Sequence, residues 1–312
     1  MSRQLNPLPW FALCCWLAHG VSAQYDFSER QQEMQNDLSL ALVTVGPGDD
    51  IQNYFGHNAM MVTNRRLNAA WVVNYGTFTF DRRMLPEFIQ GRLRFWVSLA
   101  PAEDTFRRYI EANRSVRLLQ LNLDPRQTRM VAKRLFHDIQ PQNRYYLYHH
   151  YRDNCSTRLR DIIDEAVEGQ LEQACSGPGR LDLRQHTRRH AQVDPPAALV
   201  MDLLLNDRVD RPLTECDEAF LPAELERQVA ALTYRNPQGQ RVPLVTRSTT
   251  VFEAAGREPV PDRPARAWPL TLLVGLLIGS GAIVLGCLVN AGRGALPRIG
   301  FGLLHTAVGV VP

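Results

Sequence analysis

The 312-residue sequence predicts an α+β protein, an antiparallel sheet with packed helices, followed by one C-terminal transmembrane helix. Three observations carry that prediction. Short apolar runs of β character alternate with segments of helical period. Trp268 to Val289 holds no charged residue and has about the length that crosses a bilayer. Between them, an aromatic run from Tyr145 to Tyr151 leads through Asp153-Asn154-Cys155 into an amphipathic helix over Ser156 to Val167, with Leu159, Ile162, Ile163 and Val167 on one face.

The elements follow in chain order. Residues 1–23 carry Arg3, an apolar core from Trp10 to Ala18 and small residues at Val21 and Ala23, the pattern of a secretory signal peptide. Pro7 and Pro9 shorten that core, and an uncleaved anchor is the alternative. Asp26 to Asp37 reads as an entry helix, Leu38 to Val45 as a strand, and Gly46 to Asp50 as a turn. His57 opens the next strand directly after Gly56, and Asn64 to Ala70 turns into a hairpin partner at Trp71 to Gly76. Met84 to Arg92 has helical spacing, Leu93 to Leu99 reads as a strand, Pro101 to Ala112 as a helix and Ser115 to Leu123 as a strand. Asp124 is an N-cap with Pro125 in the first turn, opening a helix whose stripe is Met130, Val131, Leu135 and Ile139. Gly177 to Ala191 is expected as an exposed loop, while Leu199 to Asn206 and Pro222 to Leu232 are expected as helices. The domain therefore runs over 24–235, with a polar, proline-bearing linker over 236–267 and the membrane helix over 268–289. Residues 290–312 form a cytoplasmic loop, placed by Arg293 and Arg298, and the start of a second apolar run too short to span.

Cys155 sits at the start of its helix, where unpaired N–H groups and the helix dipole favour a thiolate and a developing oxyanion. A small buried core cysteine, or half of a disulfide, is the alternative. His57 is the candidate base and Asn74 the candidate orienter of its imidazole. His149 and His150 stay open as bases, since alternation along a strand turns one of them toward Cys155.

Charge and cysteine content narrow the classes further. Lys and Arg total 35 against 32 Asp and Glu, and setting aside Arg3, Arg293 and Arg298 makes the exported part neutral. Such a domain has no electrostatic footprint for nucleic acid. Cys155, Cys175 and Cys216 remain in an oxidising compartment, an odd count that leaves one thiol free. A bridge between Cys175 and Cys216 is preferred, with a bridge from Cys155 still open. Without CxxC, HExxH, P-loop or dinucleotide motifs, neither a metal nor another cofactor is expected.

Asn53-Tyr54-Phe55-Gly56-His57, Asn74-Tyr75-Gly76-Thr77-Phe78, Gln90-Gly91-Arg92-Leu93 and Tyr151-Arg152-Asp153-Asn154-Cys155-Ser156-Thr157-Arg158 occur in that order. Together they resemble the N-terminal periplasmic domain of the Lnb-type lipoprotein N-acyltransferase family, over about Leu38 to Asp164. The resemblance implies a circularly permuted papain-like fold at the bacterial inner membrane, with the catalytic domain in the periplasm. It implies Cys155 as nucleophile and His57 as base, beside which Asn74 stays the orienter read from the residues alone, and an acyl chain passed from membrane phospholipid to the N-terminal amine of lipoproteins. Tyr54, Tyr75, Tyr151 and Asn154, inside those motifs, are the candidate substrate-binding residues. Two other functions compete: a cell-wall peptidase or amidase using the same pair, and a non-catalytic envelope-binding module.

Overall fold

The computed structural model describes residues 37–79, 92–265, 268–291, 299, 300, 302 and 303. The signal segment, nearly all of the entry helix, the helix expected up to Arg92 and most of the second apolar run lie outside the described residues. The chain is mixed α and β, built on a large antiparallel sheet.

Strands β1 (Leu38–Val45), β2 (His57–Asn64), β3 (Ala69–Thr77) and β4 (Arg94–Pro101) run as successive antiparallel neighbours. Helix α1 (Ala102–Glu111) leads to β5 (Val116–Leu121), which returns to the free side of β1. Helix α2 (Pro125–Asp138) then leads to β6 (Tyr145–Leu147), an edge strand on β4. The rest of the domain is mostly helical: α3 (Cys155–Ala166), α4 (Gln170–Ala174), α5 (Leu183–Ala191), α6 (Pro195–Leu204), α7 (Glu215–Glu218) and α8 (Pro222–Ala231). A small ribbon of β7 (Thr233–Arg235) and β8 (Arg241–Pro243) precedes β9 (Val245–Phe252), which closes the sheet in the order β6-β4-β3-β2-β1-β5-β9.

Both faces of the central strands are covered, which is why β1 is apolar almost throughout. One face buries Leu40, Leu42, Met60, Val62, Val73 and Leu119 against Val131 and Leu135 of α2, Leu159 and Ile163 of α3, and Leu225 and Val229 of α8. On the other, Val43, Val45, Ala59, Val72 and Val116 pack with Ala102, Phe106 and Tyr109 of α1. The Asp124 cap forms as expected: its carboxylate accepts from Gln127 N, and Gln127 Oε1 accepts from Asp124 N.

Three expectations need correction. Gly177–Ala191 is not an exposed loop, because α5 occupies most of it and buries His186, Thr187, Arg189 and His190. The arginines there are neutralised by partners distant in sequence, Arg189 by Glu224 (2.9 Å) and Arg184 by Asp202 and Asp210. The segment 236–267 is not wholly a linker, since β8 and β9 lie in it and β9 pairs with β5. Its run Val-Thr-Arg-Ser-Thr-Thr-Val-Phe is rich in β-branched residues that suit an edge strand. Helix α6 starts four residues before the expected Leu199, capped by Asp194 with prolines in its first turn.

Cys175 and Cys216 form a disulfide, and Cys155 and Cys287 are free. Helix α9 (Trp268–Asn290) follows the domain, and its stretch Leu272–Asn290 is long and apolar enough to cross a membrane.

Candidate active site

Asn154 determines how α3 begins. Its backbone is extended, and its Oδ1 accepts from Ser156 N and Thr157 N, both at 2.9 Å. Thr157 Oγ1 accepts from Asn154 N at 2.8 Å, completing a reciprocal cap. The Asn154 amide donates to the carbonyls of His150 (2.6 Å) and Phe220 (2.9 Å). This residue, expected among the substrate-binding ones, therefore spends its polar atoms on holding Cys155 at the first helical position. Two first-turn N–H groups are thereby taken, and the Cys155 N–H is the one the Asn154 side chain leaves alone.

The histidine arrives from the sheet. Gly56 has φ +81°, and a Cβ there would meet the Val45 carbonyl oxygen at 2.8 Å, so only glycine lets the chain enter β2 at this point. His57 follows, and its Nε2 lies 3.2 Å from Asn74 Oδ1 on the adjacent strand β3. The imidazole also lies close enough to the Cys155 thiol to act on its ionisation. With Nε2 engaged, Nδ1 is the nitrogen left for that contact. Tyr109 Oη donates to the same Asn74 oxygen at 3.4 Å.

A parallel lock sits one residue on. Ser156 Oγ donates to Asn58 Oδ1 at 2.9 Å, and the Asn58 amide is anchored on Val43 O and Thr44 Oγ1 of β1. Consecutive residues of β2 thus grip consecutive residues of α3. Asn58 was missed as a site residue, and its position beside His57 was the one available signal.

Cys155 is 9% exposed. Burial pushes its thiol up, but the His57 imidazole by charge and hydrogen bond, with help from Asn58 N–H and the Ser156 hydroxyl, outweighs this and brings it down to about 7. The sulfur lies on the wall of a cavity of about 980 Å³, at the upper end of the usual range for small-molecule sites. His57, Asn74, Phe55, Phe78, Phe95 and Tyr148 share that wall with Pro196, Ala197, Val200, Met201 and Leu204 of α6.

The other candidates divide. Tyr75 lines the cavity, but its hydroxyl donates to Asp138 (2.9 Å), pointing its polar end elsewhere. Tyr54 and Tyr151 do not line it. The Tyr54 hydroxyl donates to Asp194 and the Tyr151 hydroxyl bonds Thr187, so both serve packing. Exposed His149 accepts from Tyr151 N. His150 does face the cavity, but it is enclosed by Phe55, Tyr151 and Phe220, and burial lowers its pKa to about 4. Neither replaces His57 as the partner of the thiol. Tyr148, read from sequence only as part of the aromatic run, lies close enough to Cys155 to feel its charge, and burial first and that charge second keep its phenol protonated. No group of three or more His, Cys, Asp or Glu arranged to hold a metal occurs among the described residues.

Residues 25–189 match the family model described as the Lnb N-terminal periplasmic domain. No curated protein and no solved structure matches the chain. The matched span covers more than half of the sequence and contains His57, Asn74 and Cys155, and by it the chain belongs to the family of the Lnb N-terminal periplasmic domain.

Proposed function

We propose that the chain is a cysteine acyltransferase anchored in the bacterial inner membrane, its domain in the periplasm. It moves an acyl chain from phospholipid to the N-terminal amine of lipoproteins. In this reading the domain is a permuted papain-like fold, with the histidine strand β2 ahead of the cysteine helix α3. His57 takes the Cys155 proton, and the thiolate adds to an ester carbonyl of the donor. The tetrahedral oxyanion accepts hydrogen bonds from the Cys155 N–H and the protonated Tyr148 phenol. Collapse breaks the C–O bond, the leaving alkoxide takes the proton from His57, and a lysophospholipid departs from an S-acyl enzyme. The lipoprotein amine then attacks the thioester, and its proton returns through His57 to the departing thiolate.

The observation that carries this reading is the placement of the Cys155–His57 pair on a large, mostly apolar cavity walled by α6. Helix α6 buries none of its residues, and Val200, Leu203 and Leu204 are 56%, 53% and 60% exposed. An apolar helix left open beside the cavity, in a chain with a stretch long and apolar enough to cross a membrane, suits a ligand drawn from lipid better than a peptide in water.

Intact mass of the membrane-derived protein and its Cys155→Ser variant, before and after neutral hydroxylamine, tests the proposal. A hydroxylamine-labile acyl adduct on Cys155, absent from the variant, is expected. An unmodified thiol after incubation with phospholipid, together with cleavage of peptide or amide substrates, would move the function to hydrolysis of amides.

A further inference from the structure

Arg114 is a buried cation without a carboxylate. It follows α1, is 5% exposed, and lines the cavity. Its Nε donates to the Gly46 carbonyl (2.9 Å) and Nη1 to Asn53 Oδ1 (2.8 Å), while the buried Nη2 has no partner. The acidic residues of the nearby turn form no ion pair with it: Asp49 is taken by Arg257, and Asp50, whose charge does reach Arg114, accepts from the Asn53 amide at 3.2 Å. Arg108, on the same wall, makes no ion pair among the described residues. The described lining contains no aspartate or glutamate at all.

Buried Arg189 is paired with Glu224, and the partly buried Arg117 and Arg158 with Glu226 and Asp153. A buried guanidinium with an idle N–H is costly unless something negative reaches it. Its fork of donors is matched to phosphate and carboxylate oxygens. The Arg114 guanidinium lies 5.4 Å over the Tyr109 ring, but no carboxylate of the described residues bonds it, which leaves room for the charge of a ligand. The Cys155 thiolate is close enough for its charge to act on Arg114, which puts the anionic group and the reacting carbonyl in one ligand-sized space.

We infer that Arg114, assisted by Arg108, forms an anion subsite on the wall of the Cys155 cavity that holds the phosphodiester of an acyl-glycerol lipid while its acyl chain lies along the apolar side. The inference rests on the acyl-transfer reading for the lipid tail, whereas the charge argument is independent of it. Arg114 is thus a binding and positioning residue, and it makes the site selective for phosphate-bearing donors over neutral diacylglycerol.

Binding to the full-length Cys155→Ser protein in neutral detergent, which blocks turnover, tests the subsite by calorimetry. The probes are dihexanoylphosphatidylglycerol, dihexanoylglycerol and hexanoate. Charge-assisted hydrogen bonds of this kind predict that the phosphodiester probe binds at least about tenfold tighter than dihexanoylglycerol. Arg114→Gln should bring that ratio close to one. Arg108→Gln, at an exposed side chain with no bonds to lose, should lower it partway without affecting folding. Equal affinity for the two glycerol probes, tighter binding of hexanoate, or a ratio unmoved by both substitutions would overturn the subsite. Phosphodiester selectivity in a protein whose wild-type Cys155 never acquires an acyl group would uphold the subsite and refute the transferase reading.

Discussion

The sharpest consequence of the geometry concerns the ionisation of Cys155 and its dependence on His57. With its pKa brought to about 7, the thiol is half ionised at pH 7. An ordinary thiol of pKa about 8.5 is roughly 3% ionised there. Removing the imidazole in His57→Ala leaves burial, which acts upward, and takes away the largest downward cause. The thiolate fraction at pH 7 should then fall at least about fifteenfold. Alkylation by iodoacetamide, which reacts with the thiolate, reads this directly if its rate is followed from pH 5 to 10. The sign is that of an acid with a lowered pKa: reactivity is already high above pH 7 and is lost as pH falls through 7. In the variant the midpoint should move above pH 8.5. Because the midpoint is compared rather than the absolute rate, a change in access cannot mimic the effect. A wild-type midpoint at or above 8.5, or one that His57→Ala leaves in place, would refute the coupling and with it the role given to His57.

Three further outcomes follow from the contacts around the site. Asn74→Ala removes the hydrogen bond that orients His57, and about 1 to 1.5 kcal/mol of lost orientation predicts roughly a tenfold fall in the acylation rate of Cys155, measured by mass, with donor KM little changed. Asn154→Ala loses the α3 cap and strips two buried carbonyls of donors, which should destabilise the domain by about 3 kcal/mol and lower its thermal midpoint by roughly 6 to 12 °C. Reducing Cys175–Cys216, 41 residues apart in sequence, should cost up to about 4 kcal/mol by loop entropy. Melting curves with and without reductant check this, and an unchanged midpoint would show that the bridge does not constrain the unfolded chain.

The parts of the fold legible in the sequence are those with strong local signals. Leu38–Val45 is an uninterrupted apolar run because both of its faces are covered, and α2 announces itself through Asp124, Pro125 and a stripe of which Val131 and Leu135 are buried, whereas Met130, expected with them, is exposed. Helix α5 hides because its charges are satisfied by Glu218, Glu224, Asp202 and Asp210, none adjacent in sequence, so its composition imitates a solvated loop. Strand β9 hides because an edge strand exposes one side to water and so resembles an extended polar arm. Its partner β5 lies more than a hundred residues away, and no local pattern reports such a pairing.

The site divides along the same line, and the division explains which residues act on the thiol. Cys155, His57 and Asn74 each sit where a backbone signal stands beside them: a cap at Asn154, an obligatory glycine at Gly56, a strand next to β2. Tyr54, Tyr75 and Tyr151 share those motifs but turn their hydroxyls to Asp194, Asp138 and Thr187, so motif membership marks scaffold as readily as chemistry. Arg114, Tyr148 and α6 have no such neighbouring signal. They matter because of what the folded chain leaves undone: a guanidinium nitrogen with no acceptor, a protonated phenol near a thiolate, an apolar helix with no residue buried. Unmet physical demands of this kind are invisible in one dimension and become specific only in three. Arg114, Tyr148 and α6 all line the same cavity, where a single amphiphile with an anionic head, an ester carbonyl and an acyl chain would answer these demands together.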